Sequence, residues 1–167
     1  MSDTNVSFPM TPRCHARLRA ELRHIKEVER FENAREIEEA RAHGDLRENA
    51  EYHAAKERQG TLDARMRYLE LRVARAQVID PASISSTRVG FGATVTVLDT
   101  DTEDEAVYSL VGEDESDAGR GRISVTSPIA RGMLGKSVGD LATIALPSRD
   151  RNRELEILHI EYKALED

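Results

Sequence analysis

The sequence predicts an α+β protein in two parts. An N-terminal antiparallel α-helical coiled-coil hairpin occupies residues 10–80, and a small α+β domain with a twisted antiparallel sheet occupies 81–167. Three observations predict this division. The 68-residue span from Arg13 to Asp80 contains no proline and, apart from Gly44, a single glycine, Gly60. Apolar residues recur through that span at helical spacings of three and four. After Pro81 the apolar period falls to two, and Gly and Pro become frequent.

The first helix opens with Thr11 as N-cap and Pro12 at the first helical position, where a missing N–H is harmless. Leu18, Leu22, Ile25 and Val28 then stack on one face. Gly44-Asp45 breaks the pattern and predicts a turn at the end of the hairpin. Beyond it, Ala55, Gln59, Leu62, Met66, Leu69, Val73 and Ala76 hold an alternating four-three seam. Helices of about 30 residues give a hairpin about 45 Å long, ended by Pro81. Strands follow at Ala93–Leu98, Ala106–Val111, Arg122–Thr126, Ala142–Leu146 and Glu154–Tyr162, with a short helix from Pro128 to Leu134 ended by Gly135. The nine acids and no base from Asp99 to Asp117 read as a solvated acidic face of the sheet.

The net charge is −7 and unevenly placed. Residues Arg13 to Val78 carry 15 Lys or Arg against 13 Asp or Glu, whereas Pro81 to Asp167 carry 9 against 16. An acidic chain of this kind is ill suited to gripping duplex nucleic acid over its whole surface, and its basic groups lie on the helical arm. One cysteine, Cys14, excludes an internal disulfide and a thiolate zinc site. The N-terminus lacks a basic and an apolar signal region, and no apolar run reaches about 20 residues. A cytoplasmic protein with no membrane partner is expected.

The chemistry concentrates in Gly44-Asp45-Leu46-Arg47-Glu48-Asn49-Ala50-Glu51-Tyr52. Asp45 and Glu48 stand at i and i+3, which would place both on one side of the first turn of the second helix. That spacing allows two readings. Asp45 as N-cap with Glu48 three residues on is a variant capping box. The same two carboxylates could instead complete the coordination of a Mg²⁺ ion held mainly elsewhere. Arg41, Arg47, Lys56 and Arg58 surround the turn, either as a solvated helix surface or as contacts to a phosphate backbone. His43 and His53 read as surface or packing residues, and Tyr52 as seam packing.

Several segments carry a resemblance. They are Met10-Thr11-Pro12-Arg13, the whole turn from Ala40 to Glu57, Ala76-Gln77-Val78-Ile79-Asp80-Pro81, Val89-Gly90-Phe91-Gly92-Ala93-Thr94-Val95, Val111-Gly112-Glu113-Asp114-Glu115, and Ile123-Ser124-Val125-Thr126-Ser127-Pro128-Ile129-Ala130-Arg131-Gly132. On these the chain resembles the Gre family of bacterial transcript cleavage and elongation factors from about Met10 to Tyr162, its moderate tip charge favouring the GreA branch. The resemblance implies an FKBP-like second domain and RNA polymerase as partner. It implies that the coiled coil enters the polymerase's secondary channel, where Asp45 and Glu48 help hold a catalytic Mg²⁺ and the attacking water in the polymerase's own site. The polymerase would then cleave the 3′ end of a backtracked nascent RNA. The factor would be a monomer with no cofactor of its own. Arg41, Arg47 and Lys56 would meet the displaced RNA, and Ser127, Pro128, Ile129, Ala130 and Arg131 would bind the channel rim. Relatives often have Pro-Glu where this chain has Phe31-Glu32, so a straighter first helix is expected there.

Three rival readings are weaker. A channel-plugging regulator would alter the tip acids, and both are present. A peptidyl-prolyl isomerase needs an aromatic-lined pocket, for which the second domain offers Phe91, Tyr108 and Tyr162 and no Trp. A free-standing nuclease needs more metal ligands than Asp45 and Glu48 supply.

Overall fold

The computed structural model describes residues 6–45, 47–147 and 151–166. The chain forms two compact units, one built on His15–Ala76, the other on Ser7–Cys14 together with the chain from Gln77 onward. Segment 7–14 therefore belongs with the sheet.

In the first unit, α1 (Pro12–His24) runs through a π-helical segment (Ile25–Glu29) into α2 (Arg30–Arg41), and α3 (Ala50–Ala74) returns. Thr11 caps α1 by accepting the Cys14 N–H at 3.2 Å. The seam of α3 follows the four-three pattern, with Ala55, Leu62 and Leu69 buried and Gln59, Met66 and Val73 half-buried. The seam of the first helix departs from expectation. Its buried positions Ile25 and Asn33 are eight apart, one more than a heptad spans. The π turn absorbs the extra residue, moves the inward position from Val28 to Glu29, and leaves Val28 38% exposed. A π-helical turn thus precedes the position of the missing proline, and Phe31 is largely exposed.

Polar ties fix the register of the two strands of the hairpin. Buried Asn33 donates from Nδ2 to the Ala55 carbonyl at 2.9 Å. Arg58 reaches Glu36, Glu32 (3.7 Å) and Glu29 (4.0 Å), so it belongs to the helix pairing and not to a free basic patch. Arg65 meets Glu21 through Nε and Nη2 at 2.7 and 2.9 Å.

Helix α3 stops at Ala74, well short of Pro81, because its chain is taken up by strand pairing: β2 (Ala76–Val78) joins β1 (Phe8–Met10), and the Ile79 N–H donates to Met10 at 2.8 Å. Pro81 instead opens a 3₁₀ turn capped by Asp80. The main sheet comprises β3 (Ala93–Asp99), β4 (Glu105–Val111), β5 (Arg122–Ser124), β6 (Leu141–Ile144) and β7 (Arg153–Tyr162), in the order β5-β4-β3-β7-β6. Three pairings are antiparallel, while β5 runs parallel to β4. The loop between them doubles back through 3₁₀ turns at Glu113–Glu115 and Ala118–Arg120. A bulge where Thr96 and Val97 face β7 explains why its apolar residues step by two from Leu155 to Ile157 and by three to Ile160.

The core gathers Val95, Val97, Leu110, Met133, Ile144, Leu155 and Ile157, all fully buried. Helix α4 (Pro128–Met133) lies close on β6 through Gly132, where any side chain would overlap Ile144 and the Thr143 carbonyl. The acidic stretch is only partly solvated. Glu115 accepts from the Thr11 N–H at 3.2 Å and from its hydroxyl. Asp99 is buried and pairs with Arg153 at 2.7 Å. The Arg153 guanidinium, then the Asp101 N–H, hold the Asp99 carboxyl below its ordinary value against the opposing pull of burial.

Candidate functional site: the hairpin turn

The turn is built from the end of α2 to the start of α3. After Arg41 the chain unwinds through Ala42, whose N–H donates to the carbonyls of Glu38 and Glu39. Gly44 sits at φ +105°, a conformation open to glycine, and this lets the chain leave the helix axis. Leu46 of the motif lies outside the described residues.

Asn49, and not Asp45, caps the returning helix. Its Oδ1 accepts the Tyr52 N–H at 3.0 Å while its Nδ2 donates to the Ala40 carbonyl at 2.5 Å. An amide performs both tasks at once, and a carboxylate can only accept, so Asn49 displaces Asp45 from the role the spacing suggested. Asp45 and Glu48 consequently lie in the loop before the helix, not on its first turn. Both are exposed. Asp45 closes a local turn by accepting the Arg47 N–H at 3.0 Å, and His53 Nε2 stands 3.2 Å from the Arg47 carbonyl.

Asp45 and Glu48 line one open depression with His43, Asn49, Ala50 and Glu51. His43 Nε2 lies 3.4 Å from Glu51. Their hard oxygen donors suit Mg²⁺. Among the described residues, however, no group of three or more His, Cys, Asp or Glu is placed to hold a metal ion. Arg41 and Lys56 flank the turn and are exposed, as is Arg47 within it. Arg41 stands 5.9 Å over the Tyr52 ring, and Lys56 donates to Gln59 at 2.8 Å.

Two family models divide the chain between them. "Transcription elongation factor, N-terminal" matches residues 8–78, and "Transcription elongation factor, GreA/GreB, C-term" matches residues 84–162. This chain belongs to the GreA/GreB family of transcription elongation factors. It is 52% identical over 156 residues to the transcription elongation factor GreA of Hyphomonas neptunium, covering 93% of this chain and 98% of that one. It is 54% identical over 148 residues to that of Maricaulis maris, covering 89% and 94%. It is 46% identical over 162 residues to that of Rickettsia canadensis, covering 97% and 99%. Among solved structures, a prokaryotic transcription elongation factor GreA/GreB from Nitrosomonas europaea aligns over 94% of this chain and 99% of that one at 20% identity, with a TM-score of 0.40, a likeness that decides nothing further.

In this GreA/GreB chain the segment Ser127–Arg131 is split by burial. Ser127 caps α4 by accepting the Ala130 N–H at 3.3 Å, and Pro128 follows at the first helical position. Ala130 is fully buried and Ile129 packs against the core, so neither presents its side chain freely. Pro128 and Arg131 are the exposed members. The sequence reading named the segment, through the resemblance, without separating its inward from its outward side chains. It also passed over Asn49, for which a signal existed: asparagine is among the best N-caps.

Proposed function

We propose that the protein binds bacterial RNA polymerase and stimulates the polymerase's own cleavage of backtracked RNA 3′ ends. The observation that carries this reading is the release of Asp45 and Glu48 from helix capping, because Asn49 already caps α3. Exposed carboxylates at the end of a helical hairpin, with no structural duty in the helix, are groups to be presented to a partner. Entering the polymerase's secondary channel, the hairpin places both acids beside the polymerase's catalytic aspartates. There they help retain a second Mg²⁺, which in a two-metal phosphodiester hydrolysis would activate water or stabilise the leaving oxygen. Asp45 and Glu48 supply negative charge and orient the attacking water. Arg41, Arg47 and Lys56 steer the displaced RNA through its phosphates. Pro128 and Arg131 contribute to docking on the channel rim. The protein acts as a cytoplasmic monomer and is not itself the catalyst, since its turn supplies only part of one coordination shell.

The experiment is incubation with a purified backtracked elongation complex. A shortened transcript that depends on the protein supports the reading. Transcripts that stay full length, or RNA hydrolysis by the protein without polymerase, would overturn it.

A further inference from the structure

We infer that Asn49 is the positioning residue of the turn, holding the loop that carries Asp45 and Glu48 in its working conformation; this deepens the function proposed above and rests on it. Asn49 is the only side chain among the described hydrogen bonds of the turn that touches both helices. It donates to Ala40 in the last turn of α2 and accepts from Tyr52 in the first turn of α3. The loop between those anchors carries both acids. Within it, Asp45 accepts the Arg47 N–H and His53 meets the Arg47 carbonyl, so the inner contacts start from a span whose ends Asn49 has already fixed. Asn49 is itself half-buried. A loop with one glycine at positive φ and exposed acids would otherwise sample many arrangements, each placing the carboxylates differently. Reaction rates respond steeply to such displacement, with about 10²-fold lost for a shift near 1 Å.

The two bonds separate by substitution. Asn49→Ser and Asn49→Asp each keep an oxygen for the Tyr52 N–H; aspartate has no donor for Ala40, and the serine hydroxyl sits one atom short of where the amide nitrogen reaches it. Serine adds no charge among the acids, and aspartate tests whether the amide nitrogen is the needed part. The full-length protein and both variants are titrated against a purified backtracked elongation complex, with thermal unfolding and amide hydrogen exchange measured alongside. The concentration for half-maximal stimulation and the melting temperature should stay put. The saturated cleavage rate should fall by up to about 10²-fold. The Arg47 amide should exchange faster while the Tyr52 amide keeps its protection. An unchanged saturated rate, or an Arg47 amide as protected as in the parent, overturns the positioning role. So does a parallel fall in rate, affinity and melting temperature, which would make Asn49 a structural cap. Asp45→Ala serves as the control. If it keeps full stimulation, the proposed function fails and the positioning role with it. If it loses stimulation while the Asn49 variants do not, the positioning role alone falls.

Discussion

Asp45 and Glu48 show how one amide changes the meaning of two acids. With Asn49 capping α3, removing either carboxylate leaves no helix donor orphaned. Asp45→Ala and Glu48→Ala should therefore shift stability by no more than about 0.5 kcal/mol, as ordinary exposed substitutions do. Cleavage stimulation should be lost at the same time. Equilibrium unfolding checks the first expectation, and losses above about 1 kcal/mol would return the acids to a capping role. A different acid is structural. The depressed Asp99 carboxyl favours the folded state wherever it is ionised. Its contribution is complete above the ordinary value of 3.8 and disappears as pH falls through the lower folded value. Asp99→Asn should thus be less stable than the parent at neutral pH, with the gap closing below about pH 4. A gap that widens on acidification would contradict the Arg153 pairing. Sequence spacing could not tell these acids apart, because both classes border acid-rich stretches. What separates them is a partner distant in sequence, Arg153 for Asp99, and a competing cap four positions on for Asp45.

At the level of elements, the legible parts were those set by local periodicity. The α3 seam, the strand cores and the Pro128 start of α4 were readable because each rests on a pattern within a few residues. The unreadable parts depended on remote pairing. The α3 terminus is fixed by β2 meeting β1, 68 residues earlier in the chain, and β5 turns parallel because of its neighbour β4. The π turn was written in the spacing of Ile25 and Asn33, but only once Asn33, a polar residue, is recognised as a seam position. Asn33 is buried because its amide reaches the Ala55 carbonyl. Asn33→Ala should destabilise the protein by about 1–3 kcal/mol through the lost bond and unfilled space. Thermal or denaturant unfolding measures this, and a neutral result would mean that the tie does not set the register. Deleting Val28 should convert Ile25–Glu29 to regular α-helix, leaving helicity by circular dichroism no lower than in the parent.

On the function proposed, the helical unit would present charge and the sheet unit would dock. Docking by Pro128 and Arg131 would make entry of the hairpin effectively intramolecular, raising its local concentration without adding contacts at the turn. Pro128→Ala and Arg131→Ala should therefore raise the concentration needed for cleavage and spare the saturated rate. A collapse of the saturated rate in those variants would show that the segment does more than anchor. The central claim, that Asp45 and Glu48 act on the partner's chemistry and not on this protein's fold, is most directly tested by Asp45→Asn on a backtracked elongation complex, with polymerase affinity and cleavage read in the same titration. The amide keeps an oxygen for the Arg47 N–H and removes the charge. The account predicts unchanged affinity with cleavage at saturation reduced to the polymerase's unstimulated rate. Cleavage that persists at saturation, or falls only in step with affinity, would contradict it.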